Sequence, residues 1–514
     1  MFKNEPELII NPAGTTPLTA SLIVKTDVPT KLSVGVSGGS REFVHDYDKI
    51  TKTEHSVLVH GLEFGVKHSI LITVVTADGK SASKKFVAEI EHQPNDFPEF
   101  EFKTLIPTER EPGFSVFVVN QVTPENLHPH NGRLIAMNEA GEIFWVYNLG
   151  MGIGCITLTS KNTILVTSQS SLFEINWKGE QLEHWYTHKL GAEKVEKDGL
   201  HLNFENLHHS AIELPNGNIL AIGTELRRID TYPSDEVDAN APTQSVDVKG
   251  DVVVEFTRKG EISRIHSLFD IIDPNRIGYY SVVSGEGGAT PGGNLDWSHS
   301  NGLYYDSTDH SYLISIRHQD AIAKIGLEDG DLRWIIGDHH GWGDKWKKFL
   351  LSPDGNLDWQ YHQHDPSITK AGTILCFDNG NCRAVPFNDR MQAKDSYSRV
   401  VEYSVDKERN TVGEVWSFTG LDGEILYSSS QGGAVELPVT GNIFCNFSAI
   451  RLKEDGTRAE DNISSSRHAR LIEVTHDEEP IPVFDMEIKD KSNRNIDFAS
   501  FRSFHAKDIY TIKK

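Results

Sequence analysis

Three histidines occupy the same place in a short phrase that recurs along the chain. The phrase is most complete at His209, where it reads His-Ser-Ala-Ile-Glu-Leu-Pro-Asn-Gly-Asn-Ile. Further copies begin with His299 and His364, and two others begin with Gly154 and Gly433. An imidazole can bind a metal ion, transfer protons or attack an electrophile. A repeated scaffold with histidine in the first position of some units therefore predicts a chemical site that those units share.

Two kinds of chemistry suit such a set of histidines. Neutral imidazoles can bind zinc or another transition metal, which would give a metal-dependent lyase or hydrolase. Arg317 follows His299 in the same unit, however, and an arginine repels a divalent cation but suits an oxyanion such as sulfate or phosphate. No Asp or Glu shares the first position. We therefore expect an anion pocket with no metal and no cofactor, in which a histidine nucleophile allows covalent group transfer. A non-enzymatic binding module is the third possibility.

The elements that must position these residues are β-strands. The phrase reads as a strand, a tight Pro-Asn-Gly turn and a second strand. From about residue 100 each unit adds an apolar strand, a polar turn with glycine and an aromatic strand, as in residues 139–145 and 328–334. Six such copies predict six four-stranded sheets, an arrangement typical of a β-propeller. Long insertions at about 187–207, 268–297 and 337–358 place loops on one face, where ligand sites usually collect.

A propeller would bring the candidate residues together at one end of its channel. The first strand of every blade lines the channel, so His209, His299 and His364 should face one another there. The strand that returns to the same rim brings Arg317 back to about the level of His299. A single histidine in a strand is most often structural, but three in one register favour a site.

Four residues close to these histidines or to Arg317 in the sequence differ in whether they can face the predicted site. Asn301, two residues after His299, shares its face and is a candidate donor to the substrate or to an imidazole. His362 stands two places before His364, on the same side of the strand, and is a second candidate for substrate binding. His208 is out of register, so a structural or supporting role is expected. His318 should point the opposite way from its neighbour Arg317 if the strand is regular.

The N-terminal part of the chain has a different pattern. Residues 1 to about 95 alternate apolar and polar over short runs separated by turn residues, which predicts a small antiparallel β-sandwich of immunoglobulin or fibronectin type. Residues 92–98 have the composition of a linker. The prediction is an all-β chain with a β-sandwich at 1–95 and a six-bladed β-propeller at 100–514, whose ring is closed by the last segment, 501–512.

Length, charge and composition exclude several classes of protein. A chain of 514 residues is too long for one ordinary core. The formal charge of −24 argues against nucleic acid or an anionic membrane as the main partner. The sequence contains no stretch of about 18 apolar residues, so no transmembrane helix is predicted. The sequence as written begins with no charged-then-apolar leader, so the expected compartment is the cytoplasm, or the periplasm if a leader has been removed.

The four cysteines are too few for a disulfide framework in so long a chain. Cys155 and Cys445 lie in apolar strand phrases and are expected to be small buried core residues. Cys376 and Cys382 are close enough in the sequence to pair.

At these motifs the chain resembles the bacterial arylsulfate sulfotransferase family, over nearly its whole length. The matching stretches are the opening residues 11–18, the phrase 209–218, His299-Ser-Asn301 with Arg317, residues 363–365, and residues 377–380 followed by Arg383. The resemblance implies a six-bladed propeller preceded by a small β-sandwich. It also implies a transferase that works without the nucleotide sulfate donor PAPS and without a metal.

The resemblance further implies roles for individual residues. His364 would be transiently sulfurylated, while His209, His299 and Arg317 bind and stabilise the sulfuryl group. A sulfohistidine intermediate would carry the group by a ping-pong mechanism from a phenolic sulfate ester to a phenolic acceptor, both small molecules. We assign the accompanying acid and base work to His299 before His209. A homodimer is an open option for the assembly.

The chain also departs from the family's pattern. The best-known members are exported and carry a disulfide in a long loop before the nucleophile. Here the sequence as written shows no leader, and residues 337–358 contain no cysteine. The compartment and the identity of donor and acceptor therefore stay open at this stage.

Overall fold

In the computed structural model the regular structure of the described residues is nearly all β-strand, with two α-helices of a single turn. The structure describes residues 1–123, 126–189, 198–282, 294–421, 423–460, 465–492 and 494–511.

The first six strands form the N-terminal β-domain and are joined in one hydrogen-bonded sheet. Their bounds are β1 Glu7–Ile10, β2 Ala20–Ser37, β3 Phe43–Asp46, β4 Lys52–Val59, β5 Lys67–Thr76 and β6 Ser81–Glu89. The early part of β2 pairs with β1 and β4, whereas its later part pairs with β3 and β5. Buried and more exposed residues alternate along much of β2. One face of this long strand therefore packs on the hydrophobic core along both its early and its later part.

The strands that follow are short and mostly joined as antiparallel hairpins. In chain order they are β7 Glu99–Leu105, β8 Phe114–Thr123, β9 Asn126–Asn138, β10 Ile143–Asn148, β11 Ile156–Leu158, β12 Ile164–Ser168, β13 Ser171–Ile175, β14 Gln181–His188, β15 Leu200–Glu213, β16 Ile219–Tyr232, β17 Gln244–Phe256, β18 Ile262–Ser267, α1 Leu268–Ile271, β19 Leu295–Asp296, β20 Ser300–Asp306 and β21 Ser311–Ile316. The remainder are β22 Ala321–Gly326, β23 Leu332–Ile336, α2 Asp344–Lys347, β24 Ser352–Pro353, β25 His364–Ile368, β26 Ile374–Asp378, β27 Arg399–Asp406, β28 Thr411–Phe418, β29 Gly433–Glu436, β30 Ile443–Leu452, β31 Ser466–Val474, β32 Pro482–Lys489, β33 Asp497–Ala499 and β34 Ser503–Ala506.

Pairing across the chain ends joins the first of these sheets to the last part of the sequence. Strand β7 pairs with β32, and strands β33 and β34 both pair with β8. The predicted closure by the last segment is therefore confirmed. The innermost strands then lie against one another in a closed order, β34, β11, β15, β20, β25 and β29. This order brings the first positions of the recurring phrase toward a common axis.

The all-β fold, a propeller-like set of sheets preceded by an N-terminal β-sandwich, is confirmed. Within the described ranges the propeller part forms five hydrogen-bonded sheets, because β14 and β15 pair and join two successive four-stranded meanders into one sheet. The count of six blades and the boundaries at 1–95 and 100–514 stay predictions.

The N-terminal strands pack directly on the sheets that follow. One hydrophobic cluster includes Leu22 and Ile72 of the sandwich as well as Phe117 and Phe484 of the propeller part. Backbone contacts strengthen the junction, since the Gly61 amide donates to the carbonyl of Phe144 at 2.8 Å. The sandwich and the propeller part therefore share one continuous hydrophobic core.

All four cysteines are free thiols and buried. The predicted burial of Cys155 and Cys445 is confirmed, and Cys376 and Cys382 do not form a disulfide. In the described ranges no helix has the length and apolar character needed to cross a membrane.

Candidate active site

The backbone is kinked wherever a predicted histidine begins an inner strand. His209 lies in β15 where the register with β16 shifts, and its φ is +50°. His299 directly precedes β20 and has a φ of +46°. His364 begins β25, and its neighbour Asp365 has a φ of +55°. A left-handed conformation costs a non-glycine residue about 1 kcal/mol or more, so such strain at equivalent places points to a functional site.

The predicted histidines lie together in a buried, cationic environment. The ring centroids of His209 and His299 are 5.0 Å apart, and His364 is 2% exposed. Burial and the charges of Arg502 and Arg317 lower the pKa of His364 well below the ordinary value, against the opposing effect of one hydrogen bond. The His364 ring is therefore neutral near pH 7 and keeps a lone pair for nucleophilic attack.

One amide decides which nitrogen of His364 carries that lone pair. The side-chain amide nitrogen of Asn379 donates to the carbonyls of Ser428 (2.8 Å) and Gln431 (2.9 Å). Its Oδ1 must therefore be an acceptor, and it lies 2.6 Å from Nδ1 of His364. His364 consequently donates through Nδ1–H, and the free lone pair is on Nε2.

His299 forms a dyad with a buried carboxylate. Nδ1 of His299 lies 2.7 Å from Oδ2 of Asp296, which is also 2.8 Å from Nζ of Lys249. Burial raises the pKa of Asp296, but the charges of His299 and Lys249 outweigh this effect and hold the pKa well below its usual range. Ionised Asp296 orients the ring of His299, which is the arrangement found in general acid and base pairs.

Arg317 reaches the site from a turn instead of a strand. Strand β21 ends at Ile316, and Arg317 begins a single 3-10 turn. Because the strand is not regular here, the expectation that His318 points away from Arg317 is wrong. Nη1 of Arg317 donates to Nε2 of His318 at 2.8 Å, and the ring of His318 stacks on His299 with centroids 4.6 Å apart.

Asn301 and His362 are both completely buried. Nδ2 of Asn301 donates to the carbonyl of Gln363 at 2.9 Å, which ties the residue before His364 to β20. His362 precedes β25, so the strand argument for its direction does not apply. Its ring nevertheless lies 6.0 Å from that of His318. Participation of Asn301 and His362 in substrate binding stays a prediction.

Arg502 is a site residue that sequence reasoning missed. It is 2% exposed, its Nη2 donates to the Asn301 carbonyl at 2.7 Å, and its Nε lies 3.1 Å from Oδ1 of Asp365. The segment containing it was expected only to close the ring, and nothing in its sequence marks an active-site arginine. Asp296 and Asp251 were missed for the same reason, whereas Asn379 lies in the matching stretch 377–380 but was given no role of its own.

The copies that begin with glycine have a steric explanation. A Cβ at Gly433 would lie 2.2 Å from Oδ2 of Asp365, and a Cβ at Gly154 would lie 2.6 Å from Oγ1 of Thr167. Glycine at these places lets the backbone lie close to side chains of β25 and β12.

The geometry does not favour a metal ion at the one group of suitable ligands found in the described ranges, Asp296, His299 and His318. Nδ1 of His318 donates to the Asp296 carbonyl at 2.6 Å, and its Nε2 accepts from Arg317. Both nitrogens of His318 are thus engaged, and the guanidinium would repel a divalent cation.

A cavity of about 560 Å³ lies close to the histidines. Its lining includes Phe501, whose ring lies 5.7 Å from that of His209, together with Ile153, Pro129, Gln431 and His188. Such a mixture of apolar surface and a few polar groups is typical of small-molecule sites.

Comparison with known proteins gives a consistent result for the two parts of the chain. A family model described as arylsulfotransferase (ASST) matches residues 112–499, and a model described as the arylsulfotransferase Ig-like domain matches residues 7–91.

The sequence identity to individual relatives is low. Arylsulfate sulfotransferase AssT of Escherichia coli O6:H1 is 28% identical over 292 residues, which are 48% of this chain and 46% of the relative. The chain therefore spans about half the length of the curated relatives it matches. The periplasmic gluconolactonase PpgL of Pseudomonas aeruginosa is similar over 92% of this chain and 100% of its own at 11% identity, with a TM-score of 0.34. A β-propeller domain of Swd1 from Myceliophteria thermophila is similar over 76% of this chain and 99% of its own at 9% identity, with a TM-score of 0.29. Structural similarities at this level carry no functional argument.

Proposed function

The chain belongs to the arylsulfotransferase family, and we propose that it transfers a sulfuryl group from a phenolic sulfate ester to a second phenol. The family match confirms the resemblance predicted from the sequence motifs. One observation carries the proposal: His364 is buried between two arginines with Nδ1 against Oδ1 of Asn379, which leaves a neutral Nε2 as nucleophile. Sulfate esters are electrophilic at sulfur and anionic at oxygen, so a neutral nucleophile beside guanidinium groups suits them.

In the first half-reaction Nε2 of His364 attacks sulfur. The N–S bond forms while the S–O bond to the aryl group breaks, and the bonding electrons leave with the phenolic oxygen. Positive charge develops on the imidazole and is shared with Nδ1–H, where Oδ1 of Asn379 accepts the hydrogen bond. Arg317 and the neighbouring histidines stabilise the sulfuryl oxygens in the transition state.

The leaving phenolate needs a proton, and His299 is the best placed donor. Its contact with ionised Asp296 through Nδ1 fixes the orientation of the ring and leaves Nε2 as the nitrogen that exchanges the proton. In the second half-reaction neutral His299 accepts the proton of the incoming phenol. The phenol oxygen then attacks sulfur, the N–S bond breaks, and His364 is regenerated.

The cavity beside His209 offers room for the aryl part of either substrate. Phe501 and Ile153 supply apolar surface there, and the ring of Phe501 lies 5.7 Å from that of His209. Both half-reactions use the same sulfuryl site, so donor and acceptor would occupy this cavity in turn, as a ping-pong order requires.

Intact mass spectrometry of the protein after incubation with 4-nitrophenyl sulfate tests the proposal. We expect an adduct with the mass of one SO3, localised to His364, which disappears on addition of a phenol. The His364→Asn variant should show neither adduct nor transfer. Full transfer activity in that variant would overturn the proposal, and so would an adduct on another residue. Elemental analysis of active protein tests the metal-dependent alternative.

A further inference from the structure

His208, the residue before the first histidine of the phrase, links two groups of the site. Its Nδ1 lies 2.7 Å from Nδ1 of His209, and its Nε2 lies 3.1 Å from Oδ1 of Asp251 in β17. The side chain of His208 is 15% exposed, whereas that of Asp251 is 1% exposed. A partly exposed imidazole thus stands between a buried carboxylate and a histidine of the candidate site.

Asp251 can only accept hydrogen bonds. Its Oδ2 accepts from Oγ of Ser298 at 2.8 Å and from the backbone amide of Ser300 at 2.5 Å. Burial raises the pKa of Asp251, but the charge and hydrogen bond of His208 outweigh this effect and lower the pKa below its ordinary value. Because the carboxylate is ionised, Nε2 of His208 must carry a hydrogen and donate it.

One hydrogen must therefore lie between the two Nδ1 atoms. If His208 is neutral, its Nδ1 accepts, His209 donates, and Nε2 of His209 is left as a bare lone pair. If His208 holds an additional proton, its Nδ1 donates, and His209 stays neutral but carries its own hydrogen on Nε2. Only the second state offers the pocket a donor for an anionic oxygen.

We propose that His208 and Asp251 are positioning residues that keep the positive charge of the histidine pair on His208, so that neutral His209 presents Nε2–H to a sulfuryl oxygen. The proposal rests on the proposed function. Binding of a sulfate group then stabilises the additional proton, and loss of that proton removes one donor from the pocket without changing its shape.

The charges around the pair favour this distribution. His209 is faced by His299 from the segment before β20, by His364 from β25 and by Arg502 from the C-terminal segment. Burial and these neighbours, with His208 first among them, lower the pKa of His209 well below its ordinary value. The only ionised carboxylate that contacts the pair in the described ranges is Asp251, and it contacts His208.

The pH dependence of donor binding separates this role from a merely structural one. In the native protein KM for 4-nitrophenyl sulfate should rise above the pH at which the pair loses its additional proton. In Asp251→Asn this rise should begin at a lower pH, because the substitution removes the carboxylate that contacts His208. Ser298→Ala removes another contact of Asp251 but keeps its charge, so the rise should begin at the native pH.

A second variant keeps the test decisive if Asp251→Asn does not fold. The glutamine in His208→Gln cannot gain or lose a proton in this pH range, so the rise in KM should disappear. Proton uptake on binding of inorganic sulfate, measured by calorimetry in buffers of different ionisation enthalpy, should be lost in the same variant. An unchanged rise and unchanged proton uptake in folded His208→Gln would overturn the proposal. Measuring sulfate binding in His364→Asn, which cannot turn over, separates this outcome from failure of the proposed function.

Discussion

Oδ1 of Asn379 lies 2.6 Å from Nδ1 of His364, while the amide nitrogen of the same side chain is held by the Ser428 and Gln431 carbonyls. The two carbonyls prevent the amide from rotating, because a flipped side chain would place oxygen against oxygen. The orientation of Asn379 thus sets the tautomer of His364. In this orientation Oδ1 accepts a hydrogen bond from Nδ1–H, which carries part of the positive charge that the ring gains when Nε2 forms a bond.

Replacement of Asn379 should therefore slow formation of the sulfurylated protein. We expect Asn379→Ala to reduce the single-turnover rate about tenfold, equivalent to about 1.4 kcal/mol, the scale of one hydrogen bond to a charged group. Asn446→Ala is a matched control, since Asn446 is equally buried and donates to the carbonyl of Ser500 without touching a site histidine. An equal loss of rate in both variants would contradict the assigned role.

The leaving group should reveal the proton donor. Asp296→Asn removes the carboxylate that contacts Nδ1 of His299 and should impair proton transfer by that ring. Turnover of a donor with a poor leaving group, which needs the proton, should therefore fall more than turnover of a donor with a good one. We expect turnover of phenyl sulfate to fall by about 10²-fold or more, with a clearly smaller loss for 4-nitrophenyl sulfate. The ratio of the two rates in one preparation is independent of the fraction of folded protein. A constant ratio would assign the proton transfer elsewhere.

Arg502 should control the acid limit of the reaction. Its charge is the largest influence on His364 after burial, and it lowers the pKa of the ring. Arg502→Gln removes the charge and keeps amide donors for the Gly432 and Asn301 carbonyls, so the pKa of His364 should rise. Because only the neutral ring attacks sulfur, activity should then be lost at a higher pH as the solution is acidified. The measurement is the acid limb of the pH profile of single-turnover rates. A limb that does not move in folded protein would show that Arg502 has no electrostatic effect on the nucleophile.

Chelators should leave transfer unchanged. The residues nearest to a metal site are Asp296, His299 and His318, and Arg317 donates to the last of these. Dialysis against EDTA followed by an assay with 4-nitrophenyl sulfate and a phenol checks this expectation. Loss of activity that returns on addition of one particular metal ion would contradict it.

A buried ion pair should be important for joining the chain ends. Nε of Arg110 lies 3.1 Å from Oε2 of Glu473, and the two side chains are 1% and 0% exposed. Glu473→Ala leaves a buried guanidinium without its partner, which should lower the free energy of unfolding by about 3–5 kcal/mol. Glu54→Ala breaks the exposed pair with Lys25 and should cost less than about 1 kcal/mol. Chemical denaturation of both variants makes the comparison, and similar losses would be unexpected.

Much of the architecture could be predicted because it depends on local patterns. The recurring strand-turn-strand phrase, the glycine and tryptophan turns and the alternation in residues 1–95 each report on a few neighbouring residues. The common register of His209, His299 and His364 was visible for the same reason, since equivalent positions of repeated units meet at one axis.

The partners of those histidines were decided only by the tertiary structure. Asp296 and Asp251 stand where nothing in the sequence marks them, and Arg502 comes from the far end of the chain. Asn379 lies in the matching stretch 377–380, but its contact with His364 could not be read from that motif. His318 was misjudged because β21 ends one residue before Arg317 and a 3-10 turn replaces the expected alternation. The sequence by itself determined which scaffold forms and which histidines share its axis, since repetition and periodicity are local properties. Hydrogen-bond partners, tautomers and proton affinities depend on which distant side chains the closed fold brings within about 3 Å, and only the tertiary structure decided those.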